Sequence, residues 1–256
     1  MRNLLFKCCF DGRDYHGYQV QKNAYTVTEA LQDGIEKVTG VRDGIVGCSR
    51  TDAGVHALAY YFNMHTEAAI PPERFVRALN RVLPRDIVIL DCRVVPDGFH
   101  ARYSAVGKQY LYRLYEGEYR NPFYEGLALH YRRGVDLELL NAAASHFLGT
   151  HDFAGFSNTG SGVEDTVRTL TEFRLTRRDG FVQVSVTGDG FLYNMVRILV
   201  GTLLKVNEGR LSLEELDQLI LSKDRHGAGK TASPCGLYLN QVFYPHFTKA
   251  DTLQNG

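Results

Sequence analysis

The 256-residue sequence has no excess of charge of either sign: 29 Lys and Arg stand against 29 Asp and Glu. A polybasic tail is thereby excluded, although a local basic face for nucleic acid is not. The cysteine spacing for disulfide or zinc chemistry is also missing. The five cysteines, Cys8, Cys9, Cys48, Cys92 and Cys235, are odd in number, two are adjacent, and no C-x-x-C spacing occurs. That pattern fits neither a disulfide framework nor a zinc site, and it points to a reducing, cytoplasmic setting. No apolar run approaches the roughly 20 residues that span a bilayer. The apolar stretch in "MRNLLFKCCFDG" is too short for a signal peptide. Low-complexity tracts are absent. What is present is globular in character: 44% apolar residues, enough for a full core, in a length suited to one large or two ordinary domains.

Periodicity gives the same element order twice. "NLLFKCCF" alternates as a strand. Thr26 and Glu29 form a T-x-x-E capping box, Val27, Leu31, Ile35 and Val38 follow at helical spacing, and Gly40 closes the helix. "GIVGC" and "HALAYYFNMH" read as strands, "PPERFVRALNRVL" as a helix with Phe75, Leu79 and Val82 on one face, and "DIVILDCRVV" as a strand. The second half repeats this with "KQYLYRLY", a helix "LELLNAAASHFLG" ending at Gly149, and a hairpin turning at Asp179-Gly180. A buried helix "FLYNMVRILVGTLLKV", a helix "LSLEELDQLILS" capped by Ser212 and Glu215, and a strand "GLYLNQVFY" complete it. The expected class is α+β: two tandem ferredoxin-like β-α-β-β-α-β halves, residues 1–105 and 106–256, whose sheets meet around a central cleft.

Several residues could carry chemistry. Asp52 lies between the second and third strands, at a sheet end, two residues after Arg50. A neighbouring cation holds a carboxylate ionised, which suits a nucleophile. The same residues also describe an Asx-turn or a loop-fixing ion pair. His56, His65 and His100 match no zinc spacing. From Gly98 to Tyr131 basic and aromatic residues interleave: Arg102, Tyr103, Lys108, Tyr110, Tyr112, Arg113, Tyr115, Tyr119 and Arg120. Cations for phosphates beside rings for bases are what an unpaired nucleotide needs, though half-buried strand aromatics flanked by solvated charge give the same pattern. Arg197 is the sole charge in "FLYNMVRILVG" and requires an anionic partner, from the protein or from a substrate phosphate. "RHGAGKTA" lacks the Walker spacing and is not a phosphate loop.

Taken in order, five blocks resemble the tRNA pseudouridine synthase A family over nearly the whole chain: "FDGRDYHGYQVQ", "RTDAGVHA", "FHARYSAVGKQYLYRLY", "GFLYNMVRILVGTLL" and "ASPCGLYLNQVFY". The resemblance implies that Asp52 is the nucleophile and that Arg50 pairs with it and helps displace the target base. It implies further that Tyr110 stacks on the target uracil, and that Arg197 contacts the aspartate or a phosphate. Lys108 and Arg102 join the substrate-binding set. The implied reaction converts uridines 38, 39 and 40 of the tRNA anticodon stem-loop to pseudouridine. It uses no cofactor and no metal, away from membranes, in a homodimer that tRNA crosses. Three positions depart from the family pattern: Tyr18 for its usual Trp, Ser49 for the Gly before Arg50, and Gln109 for the second of a basic pair.

Two other classes compete. A non-catalytic tandem RNA-binding protein would share the sheet aromatics, but the RNP1 core is absent from "HALAYYFNMH". A small-molecule hydrolase with a carboxylate nucleophile would leave the basic-aromatic segment without a purpose.

Overall fold

The computed structural model describes residues 1–158 and 164–245. Its contacts group residues 1–107 with those from 238 onward as one unit, and residues 108–237 as another. Each unit is α+β.

The first unit follows the expected order: β1 (Arg2–Phe10), α1 (Val27–Thr39), β2 (Val46–Gly47), β3 (His56–Thr66), α2 (Pro72–Val82) and β4 (Ile87–Val95). The strands run antiparallel in the order β4-β1-β3, with β2 on the outer side of β3. This is the ferredoxin-like arrangement. Register pairs Phe6 with Phe62 across β1 and β3. Their rings stack at 4.9 Å, and Phe75 of α2 meets Phe6 edge-on at 5.4 Å. The helical period that put Phe75 and Leu79 on one face of α2 therefore buries that face on the sheet. Both sides of the capping box at Thr26 and Glu29 form, and Gly40 ends α1 in the left-handed region at φ 76°.

The second unit contains β5 (Gly107–Glu116), β6 (Leu129–Tyr131), α3 (Leu137–Ser145), β7 (Gly149–Asp152), β8 (Val167–Arg178), β9 (Phe181–Gly188), α4 (Met195–Asn207) and α5 (Leu213–Ser222). β5, β9, β8 and β7 form an antiparallel sheet in that order, and β6 pairs with β5. Asp179 and Gly180 both take positive φ, 54° and 80°, as the hairpin between β8 and β9 requires. The second capping box, Ser212 with Glu215, also forms.

Three features differ from the pattern read in the sequence. Helix α3 stops at Ser145, and Gly149, at φ 92°, opens β7 instead of closing the helix. α4 begins only at Met195, because Asn194 takes φ 61° just before it. The closing strand, β10 (Leu237–Phe243), pairs in parallel with β3 at His56 and Ala57, so it contributes to the first unit's sheet. The division of the sequence at 105/106 assigns those residues to the second half. No helix of the described residues is long and apolar enough to cross a membrane.

The glycines of "RHGAGKTA" have a packing role. A Cβ on Gly201 of α4 would lie 1.8 Å from the Lys230 carbonyl oxygen, and one on Gly229 would lie 2.2 Å from the Gly201 carbonyl oxygen. Thr202 accepts from the Gly229 N–H at 2.9 Å and locks this contact. Gly201→Ala is therefore expected to cost about 2–3 kcal/mol by overpacking. Gly44→Ala, which meets nothing within 4 Å, should be neutral or slightly stabilising. Urea unfolding midpoints of the two variants check the contrast.

Candidate active site

The loop carrying Arg50 and Asp52 joins β2 to β3. A second segment, residues 12–18 after β1, lies directly on it. Tyr18 N–H donates to the Thr51 carbonyl at 3.1 Å, and Gly54 N–H donates to the Tyr15 carbonyl at 3.3 Å. Such close backbone contact leaves no room for side chains. A Cβ at Gly12 would sit 2.0 Å from the Val55 oxygen, and one at Gly17 would sit 2.5 Å from the Thr51 oxygen. Gly17 also holds φ 85°. The two glycines of "FDGRDYHGYQVQ" thus permit the loop's approach to the first strand's exit. Tyr15 ties this layer to the start of β4 by donating to Asp86 at 2.7 Å.

From below, the loop is gripped by Tyr60 of β3. Its hydroxyl donates to the Ser49 carbonyl and accepts from the Ser49 N–H at 3.3 Å. Tyr60 is fully buried and stacks on Tyr18 at 4.3 Å. Burial pushes both hydroxyls well above the usual tyrosine range, so both stay protonated. Tyr18 in place of Trp therefore keeps an aromatic floor for the loop. Ser49 in place of Gly has its backbone fixed by both of its polar groups.

Arg50 is exposed and Asp52 half-buried on this loop. Arg50 and Arg102 both line a depression of about 330 Å³ in the first unit, with Ser49, His100 and Tyr103. His56, four residues after Asp52, is buried and stacks on Tyr238 at 4.6 Å. Its Nδ1 accepts from the Gly12 N–H at 3.1 Å and lies 3.1 Å from Asp11 Oδ1. Burial works to raise the Asp11 carboxyl, but hydrogen bonds from Arg13 and the nearby His56 outweigh it and leave Asp11 below its ordinary value. His56 thus helps brace the loop against the 12–18 segment. Among the described residues no group of three or more His, Cys, Asp or Glu is arranged to hold a metal ion.

The second unit carries Lys108, Tyr110 and Arg197. Lys108 and Tyr110 lie on β5, opposite Gly188 and Val186 of β9. Tyr110 is 7% exposed and meets Phe191 edge-on at 5.0 Å. Gln109, where the resemblance expects a base, donates to Glu172 at 2.9 Å and to Thr187 at 3.1 Å. It belongs to a neutral-to-acid cross-strand cluster, which a cation there would recast as an ion pair. Arg197 sits in the first turn of α4. Its Nε donates to the Ala232 carbonyl at 2.7 Å and its NH1 to Asn194 Oδ1 at 2.7 Å. Two neutral oxygens of its own unit therefore orient this guanidinium. Sequence reasoning gave no role to Tyr60, Gly12 or Gly17, since each acts through a contact distant along the chain, and it named Tyr103 only as one ring of the basic-aromatic segment.

Comparison with known proteins agrees with the family that the motifs resemble. The family model described as tRNA pseudouridine synthase matches residues 9–104 and 143–245. The protein called tRNA pseudouridine synthase A from Acetivibrio thermocellus is 46% identical over 244 residues, covering 95% of this chain and 100% of its own length. Proteins of the same name from Thermoanaerobacter sp. (strain X514) and Ruminiclostridium cellulolyticum are 44% and 42% identical, each over 95% of this chain and 100% of their own. A solved structure titled "Crystal Structure of a Cbf5-Nop10-Gar1 Complex" aligns with a TM-score of 0.40 at 10% identity, over 92% of this chain and 57% of that one, a likeness too slight to carry an argument.

The Tyr60 grip has a direct test. Tyr60→Phe removes both hydrogen bonds to Ser49 and leaves a carbonyl without its donor, at an expected cost of about 1–2 kcal/mol. Amide exchange at residues 49–52 should quicken. An unchanged urea midpoint with unchanged exchange would contradict the grip.

Proposed function

This chain belongs to the tRNA pseudouridine synthase family, and from that premise we propose that Asp52 is its nucleophile in converting uridine 38, 39 or 40 of the tRNA anticodon stem-loop to pseudouridine. The observation that carries the assignment is the loop itself. A carboxylate stands two residues from an exposed arginine, on a backbone fixed from below by Tyr60 and from the side by residues 12–18. Preorganisation of this kind lets a catalytic group act without first paying to order itself.

The chemistry accounts for the residue types. The N1–C1′ bond of the target uridine breaks, the base turns, and C5 bonds to C1′. C5 then loses its proton and N1 gains one, so the product is an isomer and no electrons leave the system. Asp52 supplies a carboxylate to the ring or to the sugar while the glycosidic bond breaks. A target paired in a stem must first leave the helix, at a cost of a few kcal/mol. Arg50 assists that displacement and balances the carboxylate. Tyr110 offers the ring on which the uracil stacks, an interaction worth about 1–3 kcal/mol per base. Lys108, Arg102 and Arg197 take phosphate or carboxylate contacts, and Arg197 is pre-aimed by Asn194 and Ala232. The setting is the cytoplasm, where tRNA is found, and the working form is a homodimer. Light scattering should then give twice the chain mass of 28.8 kDa.

Asp52→Asn is expected to reduce tritium release from 5-tritiated uridine in tRNA to background, while tRNA affinity stays within a few-fold of the parent. Substantial release by the purified variant would remove the nucleophile assignment. Affinity of the parent should fall steeply as salt rises, because phosphate contacts release counterions. A flat salt response would contradict a cationic RNA face.

A further inference from the structure

Beside the Asp52 loop the structure holds a turn from which the reaction described above takes only Arg102. Residues 99–103, the turn after β4, are fixed by buried polar groups. Asn3 and Asn63, each 2% exposed, are hydrogen-bonded to one another at 3.0 Å. Asn3 donates to the Phe99 carbonyl at 2.9 Å, and Asn63 accepts from the Ala101 N–H at 2.8 Å. Tyr244 donates to the Ala101 carbonyl at 2.7 Å. Two buried amides and a buried phenol therefore hold one short surface turn, an expensive use of the interior unless the turn must keep its shape.

What this turn presents is specific. His100 Nδ1 accepts from the N–H groups of Arg102 and Tyr103, both at 3.2 Å. In the neutral ring that places the proton on Nε2, leaving one N–H to donate. The Tyr103 ring is 75% exposed even though His100 lies 4.3 Å from it and the Arg102 guanidinium 5.5 Å. His100, Arg102 and Tyr103 line the same depression as Arg50, and no carboxylate lines it. Its volume of about 330 Å³ lies at the lower end of the roughly 300–1,000 Å³ usual for ligand sites. Two guanidinia, a fixed N–H donor and an open aromatic ring in one acid-free depression match a nucleotide: an anion for the donors and a flat base for the ring.

We propose that this depression is a subsite for one RNA nucleotide flanking the target uridine, its base stacked on Tyr103 and its phosphate accepting from His100 Nε2, Arg102 and Arg50. The proposal rests on the tRNA reading given above. It adds a second stacking contact, carried entirely by the first unit, that holds the RNA while the target is displaced. The buried amides keep the turn ordered before RNA arrives, so little ordering entropy is lost on binding.

The test measures affinity of the full chain for an unmodified tRNA transcript at several salt concentrations. Tyr103→Ala should raise Kd roughly tenfold, and Tyr103→Phe should recover most of that loss. Arg102→Ala should lessen the slope of log Kd against log salt by about one, whereas Tyr103→Ala should leave the slope as it was. Because the ring is so exposed, thermal melts of the Tyr103 variants should match the parent. A Tyr103→Ala protein that melts normally and binds within twofold of the parent would overturn the subsite, and so would a Phe variant as weak as the Ala variant. Parent protein that binds the transcript but releases no tritium from it would overturn the synthase reading instead.

Discussion

The close approach of two backbone segments in the first unit is the constraint on which the candidate site depends. Residues 12–18 lie so near residues 51–55 that a Cβ at Gly12 or Gly17 would collide with a carbonyl oxygen. With those glycines in place, backbone hydrogen bonds at Tyr18 and Gly54 join the segments into one layer. Tyr60 then fixes Ser49 beneath that layer. A polar loop at a sheet end would ordinarily be mobile. Here it has support on two sides, and the two residues proposed to carry chemistry, Arg50 and Asp52, lie on it.

Local signals made much of the fold legible. The capping boxes at Thr26 and Ser212, the Asp179-Gly180 turn and the helical period through Phe75 each encode structure within a few residues, and each forms as the sequence indicates. The elements that escaped are short or are settled by distant contacts. β6 and β7, of three and four residues, are too brief to show alternation. The start of α4 depends on the left-handed turn at Asn194, and β10 joins β3, about 180 residues away, by a pairing that no local pattern can announce.

The candidate site divides along the same line. Asp52 was ambiguous on local grounds, because turn residues and nucleophiles share the same polar, glycine-bearing surroundings. The order of five motifs favoured the nucleophile reading that the loop alone left open. Arg197 shows the converse. The need to compensate its charge was legible, but the local contacts that orient it, a backbone carbonyl and an asparagine, were not. Tyr103 was legible only as one ring of the basic-aromatic segment and His100 only as a histidine without zinc spacing, because exposure, the hydrogen bonds at His100 Nδ1 and the buried Asn3–Asn63 pair beneath their turn leave no local signal.

Together these features describe an enzyme that invests in placement. Isomerising a uridine requires no redox partner, and on the proposed reading the protein supplies a held carboxylate, cations for the phosphates and rings for displaced bases. The most direct test incubates an unmodified tRNA transcript with the purified protein alone and maps the modified positions by carbodiimide labelling and primer extension. Stops confined to uridines at positions 38, 39 and 40 are the expected result. Modification at other positions, or none at any position, would contradict the account.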